Sequence, residues 1–118
     1  MEEIPGAQDA GQWTGEPRAA ARALGELLAR LHHEGFTHRD LKETNVLFDV
    51  SGRPHLIDLD GLVFVSEVSA AEAAANLQRL ARGLAAIGKL TRSNVSAFLL
   101  AYGRRRHVRP RQLFPSRA

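Results

Sequence analysis

The 118-residue chain has no cysteine, which excludes a disulfide framework and a cysteine-ligated zinc site. It has only two lysines, Lys42 and Lys89, so arginine carries most of its positive charge. No apolar run approaches the roughly 20 residues that a membrane-spanning helix needs. Neither Gly-x-Gly-x-x-Gly nor a Walker-type phosphate loop is present. There is no internal repeat, and no low-complexity block beyond the alanine-rich stretch after Ser69. The opening Met1-Glu2-Glu3-Ile4-Pro5 carries acids where a secretory signal carries positive charge. These absences suit the cytosol, and the length allows one domain at most, or a piece of one.

The formal net charge of +3 is unevenly placed. Arg104, Arg105, Arg106, Arg109, Arg111 and Arg117 lie in residues 104–118 with no acid among them, which predicts a flexible basic tail. At the other end, residues 1–16 show little periodicity and contain Gly6, Gly11 and Gly15, so they are expected to form a connection rather than a packed element. Between these ends, residues 17–103 are expected to fold, mainly as α-helix with a small β-hairpin.

Glu16-Pro17 opens the first helix, because proline in a first turn lacks only an N–H that would be unpaired anyway. Leu24, Leu27, Leu28 and Leu31 recur at helical spacing and mark its buried face. Gly35 can end it in a left-handed conformation. His32 and His33 are expected as helix-end residues favoured by the dipole rather than as metal ligands. Val46-Leu47-Phe48 and His55-Leu56-Ile57 flank Asp49-Val50-Ser51-Gly52-Arg53-Pro54, which predicts a hairpin. Ser69 and Glu72 form a capping-box pattern that opens a second helix through Ile87, with Gly88 as its stop and Leu77, Leu80, Leu84 and Ile87 as its core stripe. A third helix, from about Ser93 to Tyr102, is expected to bury Val95, Phe98, Leu99 and Tyr102.

Chemistry concentrates at His38-Arg39-Asp40-Leu41-Lys42-Glu43-Thr44-Asn45 and at Asp58, thirteen positions after Asn45. The first stretch reads His-Arg-Asp-Leu-x-x-x-Asn, the catalytic-loop pattern of the protein-kinase-like fold. A single Asp or Asn in a turn is ordinarily a turn-former. Here His38, Asp40, Lys42, Asn45 and Asp58 agree together in type and spacing, with a helix before and a strand-turn-strand between the last two. Asp40 can accept or orient the proton of an acceptor hydroxyl. Lys42 can reach a transferring phosphate. Asn45 and Asp58 offer hard oxygen donors of the kind magnesium prefers, brought to one edge by the hairpin. His38 is expected to fix the loop by packing and hydrogen bonding, and Arg39 to help position it. Asp60 is a further acid where the usual motif has glycine.

The run from Leu28 to Gly61 resembles the lipopolysaccharide kinase (Kdo/WaaP) family, and a weaker likeness continues through Asn76-Leu77-Gln78-Arg79-Leu80 and Phe98-Leu99-Leu100-Ala101-Tyr102. The resemblance implies the C-terminal lobe of a protein-kinase-like fold. It also implies ATP-dependent phosphorylation of a sugar hydroxyl in the lipopolysaccharide core, at the cytoplasmic face of the inner membrane. It carries Asp40 over as the catalytic aspartate, Lys42 beside it, and Asn45 and Asp58 as Mg2+ ligands. Residues 1–16 resemble the hinge that joins the two kinase lobes, where the backbone near Glu3 and Ile4 would face the adenine of ATP. Seven residues separate Gly61 from Ser69, and no Ala-Pro-Glu follows. That is too short for the activation segment that grips a peptide, and it favours a compact or glycolipid sugar acceptor.

Neither lysine can be the strand lysine that pairs with nucleotide phosphates. The N-terminal lobe is therefore expected to be absent from this chain and to come from a longer chain or another polypeptide, and the chain alone is expected to transfer phosphate poorly or not at all. The alternative is a non-catalytic lobe remnant that binds an anionic membrane surface through Arg104, Arg105, Arg106, Arg109 and Arg111. A fragment of a serine/threonine protein-kinase-like enzyme is a further alternative. No stacking aromatic series or recognition helix supports nucleic acid.

Overall fold

The computed structural model describes residues 6–9, 12–13, 15–57, 59–86 and 91–106. Glu3, Ile4, Asp58, Ile87, Gly88, Arg109 and Arg111, all named above, lie outside the described residues. The first helix, α1, spans Pro17–His33 with proline in its first turn. The Glu16 carboxylate caps it, accepting from the N–H groups of Arg18 at 3.0 Å and Ala19 at 2.6 Å. Both N–H groups lack an intrahelical partner, and the bonds hold the Glu16 carboxyl below its ordinary pKa. Leu24 and Leu28 are buried, while Leu27 and Leu31 pack at the edge of the core. The helix stops at Gly35, whose φ of +91° is costly for any residue with a side chain.

Two small antiparallel sheets form from the loop segments. Strand β3 (Val46–Phe48) pairs with β4 (Pro54–Leu56), with Val46 opposite Leu56. This is the expected hairpin, its second strand beginning one residue earlier. Asp49 builds the turn: its Oδ1 accepts from the Ser51 N–H, the Ser51 hydroxyl and the Arg53 N–H, and its Oδ2 meets His55 Nε2 at 2.8 Å. These bonds hold the Asp49 carboxyl well below the usual carboxylate range, the Ser51 hydroxyl most and the His55 ring next.

The outer edge of β3 carries β1 (Gln8–Asp9), and Trp13 packs on Phe48 with ring centroids 5.1 Å apart. This part of the N-terminal segment is packed, contrary to expectation. Two residues of backbone pairing and one aromatic suffice to dock it, and neither produces periodicity. The second sheet was not expected either. It pairs β2 (Phe36–His38) with β5 (Leu62–Phe64), and His38 lies opposite Leu62.

Helix α2 spans Ala70–Ala86 and opens with the expected capping box: Ser69 N–H donates to Glu72 Oε1, and Glu72 N–H donates to Ser69 Oγ. Helix α3 spans Arg92–Arg106, capped by Thr91 Oγ1 on the Asn94 N–H. It runs past Tyr102, so Arg104, Arg105 and Arg106 are helical rather than the start of a flexible tail. Arginine is a good helix former, and its charge is favoured at a helix C-terminus. Arg106 turns inward and donates to the Val68 carbonyl at 3.2 Å.

Helices α1 and α3 lie side by side and run in the same direction. Arg18 meets Ser93 near their starts, and His32 meets Tyr102 near their ends. Midway, a Cβ on Gly25 would come within 2.5 Å of the Phe98 carbonyl oxygen, so glycine sets the closeness of the pair. The core between the helices and the sheets contains Leu24, Leu28, Leu41, Val46, Phe48, Leu77, Leu80 and Tyr102. Among the described residues, no helix is long and apolar enough to cross a membrane.

Candidate functional site

The loop after β2 is anchored by a residue of α2 that sequence reasoning missed. Asn76 is buried and its amide grips the His38 backbone from both sides: Oδ1 accepts from the His38 N–H at 2.9 Å, and Nδ2 donates to the His38 carbonyl at 3.0 Å. Since Nδ2 donates, Oδ1 is the acceptor, and its contact with His32 Nε2 at 3.2 Å requires a proton on that nitrogen. His32 Nδ1 therefore accepts from the Tyr102 hydroxyl at 2.6 Å. One chain of bonds thus joins α3, α1 and α2 to the loop. Every member is buried, and burial pushes the His32 pKa down to about 4, which keeps the ring neutral. His32 is therefore not the dipole-stabilised cation expected from its place in the last turn of α1; His33, beside it, is exposed.

His38 is itself buried, and its Nδ1 accepts from the Asp40 N–H at 3.2 Å. A Cβ on Gly61 would overlap the His38 ring, so only glycine lets the chain pass there. The Arg39 N–H donates to the Gly61 carbonyl at 2.8 Å, tying the loop to the 3-10 turn Leu59–Gly61. Asp60 lies exposed in that turn. Leu41, fully buried, pins the loop from below and leaves Asp40 and Lys42 on the surface.

Asp40 presents its carboxylate to solvent between two cations. Lys42 Nζ lies 3.1 Å from Oδ2, and Arg79 Nη1 of α2 lies 3.3 Å from Oδ1. The Lys42 hydrogen bond, and then the Arg79 bond and both positive charges, hold the Asp40 carboxyl below its ordinary value. Arg79 is a second residue missed from sequence. It stands three residues after Asn76 on α2, so the two lie on neighbouring faces of one helix.

The 3-10 turn Glu43–Asn45 then leads into β3. Asn45 is buried. Its Oδ1 accepts from the Lys42 N–H at 2.9 Å, and its own N–H donates to the Lys42 carbonyl at 3.0 Å. Its carbonyl accepts from the Ile57 N–H at 2.8 Å. The backbone thereby joins Asn45 to Ile57, while Asp58, which the hairpin was expected to bring to the same edge, lies outside the described residues. An amide oxygen and a carboxylate are hard donors, and two such ligands suit magnesium, which keeps several waters or phosphate oxygens of its own. Among the described residues, no cluster of three or more His, Asp or Glu side chains offers a separate metal cage. The structure thus brings Asp40, Lys42 and Asn45 into one loop. Glu3, Ile4 and Asp58 fall outside the described residues.

Known proteins match this chain over most of its length. The family model described as the lipopolysaccharide kinase (Kdo/WaaP) family covers residues 1–102. A 3-deoxy-D-manno-octulosonic acid kinase of Xanthomonas euvesicatoria pv. vesicatoria (strain 85-10) is 38% identical over 92 residues, which is 70% of this chain and 36% of the relative. A protein of the same name from Xanthomonas oryzae pv. oryzae (strain PXO99A) is 38% identical over 85 residues, 71% of this chain and 33% of the relative. The chain spans about a third of the length of these curated relatives.

Proposed function

Since the chain belongs to the lipopolysaccharide kinase (Kdo/WaaP) family, we propose that it supplies the catalytic-loop lobe of an enzyme that moves the terminal phosphate of ATP to a sugar hydroxyl of the lipopolysaccharide core. The three helices and two short sheets are read as the C-terminal lobe of a protein-kinase-like fold. The observation that carries the reading is the Asp40 carboxylate, solvent-facing, ionised and bridged by Lys42 and Arg79. A carboxylate held this way accepts the hydroxyl proton while cations stand beside the charge that develops on the phosphate.

In this reaction the sugar oxygen forms a bond to the terminal phosphorus and the bond to the bridging oxygen of ADP breaks. Asp40 orients the hydroxyl and receives its proton. Lys42, on the other side of that carboxylate, offsets charge on the transferring group, and Lys42 and Arg79 together keep Asp40 deprotonated. Asn45 and Asp58 are the residues that would hold magnesium. When bound, the ion neutralises charge on the nucleotide phosphates. Glu3 and Ile4 would offer backbone groups to the adenine. The lobe that covers the nucleotide belongs to a longer chain or a second polypeptide, because Lys42 is held in the loop and Lys89 lies beyond α2.

A glycolipid acceptor is favoured over a peptide by the short connection after Gly61. Strand β5 returns at once to pair with β2, and only residues 65–69 separate it from α2. No long segment is left there to grip an extended chain. The acceptor sugar belongs to a lipid and the donor is ATP, so this reading puts the enzyme on the cytoplasmic face of the membrane as a peripheral protein. Arg104 and Arg105, with Arg109 and Arg111 beyond them in sequence, give it a basic end. Arg106 drops out of that set, since its guanidinium is turned onto the Val68 carbonyl.

The test is a chimera in which residues 1–102 replace the matching segment of the Xanthomonas euvesicatoria relative. It is assayed with labelled ATP and either a 3-deoxy-D-manno-octulosonic acid acceptor or a serine-containing peptide. Label on the sugar alone is expected. Label on the peptide alone would point instead to a protein-kinase-like enzyme.

A further inference from the structure

A second charged feature lies away from the catalytic loop, in a groove of about 580 Å³ between α1 and α3. Arg18, Arg22 and Glu26 line it from α1, and Leu100, Arg104 and Arg105 from α3, over a floor of small residues. Arg18 and Arg22 are four residues apart and so share a helix face, as do Leu100 and Arg104. The parallel course of the two helices brings these pairs to the same side. Four guanidiniums therefore stand over one groove with a single carboxylate, Glu26, among them.

The fold does not neutralise this charge. Among the described residues, none of the four arginines is ion-paired. The Arg18 guanidinium donates to the carbonyl and hydroxyl of Ser93 at 3.0 and 2.8 Å, neutral partners that fix the side chain and leave its charge in place. The Glu16 carboxylate, which caps α1, feels the charges of Arg22 and Arg18 but forms an ion pair with neither, so it offsets them only in part. Four guanidiniums against the one carboxylate of Glu26 leave the groove net positive, which favours an anionic ligand. Guanidinium is suited to phosphate, because its forked N–H groups can bond two oxygens at once.

Leu100, 47% exposed, stands within the charged rim. An apolar side chain ringed by arginines matches the boundary between lipid headgroups and acyl chains, where arginine stems pack and their heads stay wet. Among the described residues no aromatic side chain lines the groove, which therefore offers no stacking platform of the kind single-stranded nucleic acid requires. We infer that the α1–α3 groove binds the phosphate groups of anionic lipids and seats the protein on the membrane surface through both helices. The choice of a lipid surface rests on the glycolipid acceptor proposed above. It adds Arg18 and Arg22 to a basic surface that composition alone would have put in the C-terminal segment.

The test is co-sedimentation of the full 118-residue chain with vesicles of phosphatidylcholine alone or containing phosphatidylglycerol, with no nucleotide or sugar present. The groove pair Arg22→Gln/Arg105→Gln is compared with Arg53→Gln/Arg82→Gln, which removes the same charge from exposed positions elsewhere. Binding only to the anionic vesicles is expected. At roughly 1 kcal/mol per arginine, the groove pair should weaken it on the order of 25-fold and the control pair about twofold or less. Glu26→Gln, which removes the lone acid, should tighten binding by about fivefold. This gain keeps the test decisive if the groove pair disturbs folding, which circular dichroism would reveal. Equal losses in the two pairs would assign binding to net charge and overturn the inference, as would absence of binding to anionic vesicles. Displacement by millimolar glycerol phosphate would make the groove a site for free phosphate and overturn the surface assignment. Failure of phosphate transfer by the chimera leaves vesicle binding untouched, so the two proposals fail separately.

Discussion

Acidification is expected to weaken this fold through one buried ring. His32 sits between Tyr102 and Asn76 as a neutral donor and acceptor, with its pKa lowered from 6.5 to about 4 chiefly by burial. Between those values the unfolded chain holds a proton that the folded chain refuses. Stability then falls as pH falls, by up to about 1.4 kcal/mol per pH unit and by roughly 2 kcal/mol between pH 6.5 and pH 4.5. The carboxyls of Glu16, Asp40 and Asp49, all held below their ordinary values, act in the opposite part of the range. Their contribution is fully present above their ordinary values, 4.5 for Glu16 and 3.8 for the two aspartates, and is lost as pH falls from there through their lowered values. Urea unfolding at half-unit steps of pH measures the slope. His32→Gln keeps an amide that can donate to Asn76 and accept from Tyr102 but does not titrate, so its slope over this window should be nearly flat. A wild-type slope near zero, or a His32 ring titrating near 6.5 by NMR, would refute the reasoning.

Other changes probe the same packing and the same loop. Asn76→Ala leaves the His38 N–H and carbonyl buried without their partner and strands His32 Nε2, so it should cost about 3 kcal/mol in urea unfolding. Gly25→Ala pushes a methyl against the Phe98 carbonyl and should cost about 1–3 kcal/mol, read as a lower melting temperature. Arg79→Gln removes one of the two cations on Asp40, so the Asp40 carboxyl should titrate at a higher pH than in the wild type, measured by carbon-detected NMR.

The parts that the sequence announces are those built from local rules. Pro17, the leucines of α1, Gly35, the Asp49 turn and the Ser69–Glu72 box each act within a few residues, and each appears where expected. What it does not announce depends on partners far along the chain. Strands β2 and β5 are three residues each, too short for alternation to register, and they pair across the intervening residues 39–61. The His32–Tyr102 and Asn76–His38 bonds join residues 70 and 38 positions apart, and no periodic pattern marks a polar residue as the one that turns inward. The loop motif was visible because its chemistry fixes residue types. The asparagine and arginine of α2 that brace it were not, because their roles exist only once α2 is packed across β2.

The most direct measurement of the central claim is phosphate transfer to 3-deoxy-D-manno-octulosonic acid by the chimera carrying residues 1–102, with Asp40 intact or as Asp40→Asn. Removing a positioned proton acceptor should lower the rate by roughly 10²–10⁴-fold. The melting temperature should hold, because the Asp40 carboxylate is exposed and its partners, Lys42 and Arg79, are surface cations. Transfer that survives Asp40→Asn at the unaltered rate, in a chimera of unaltered stability, would contradict the assignment of this loop as the catalytic one.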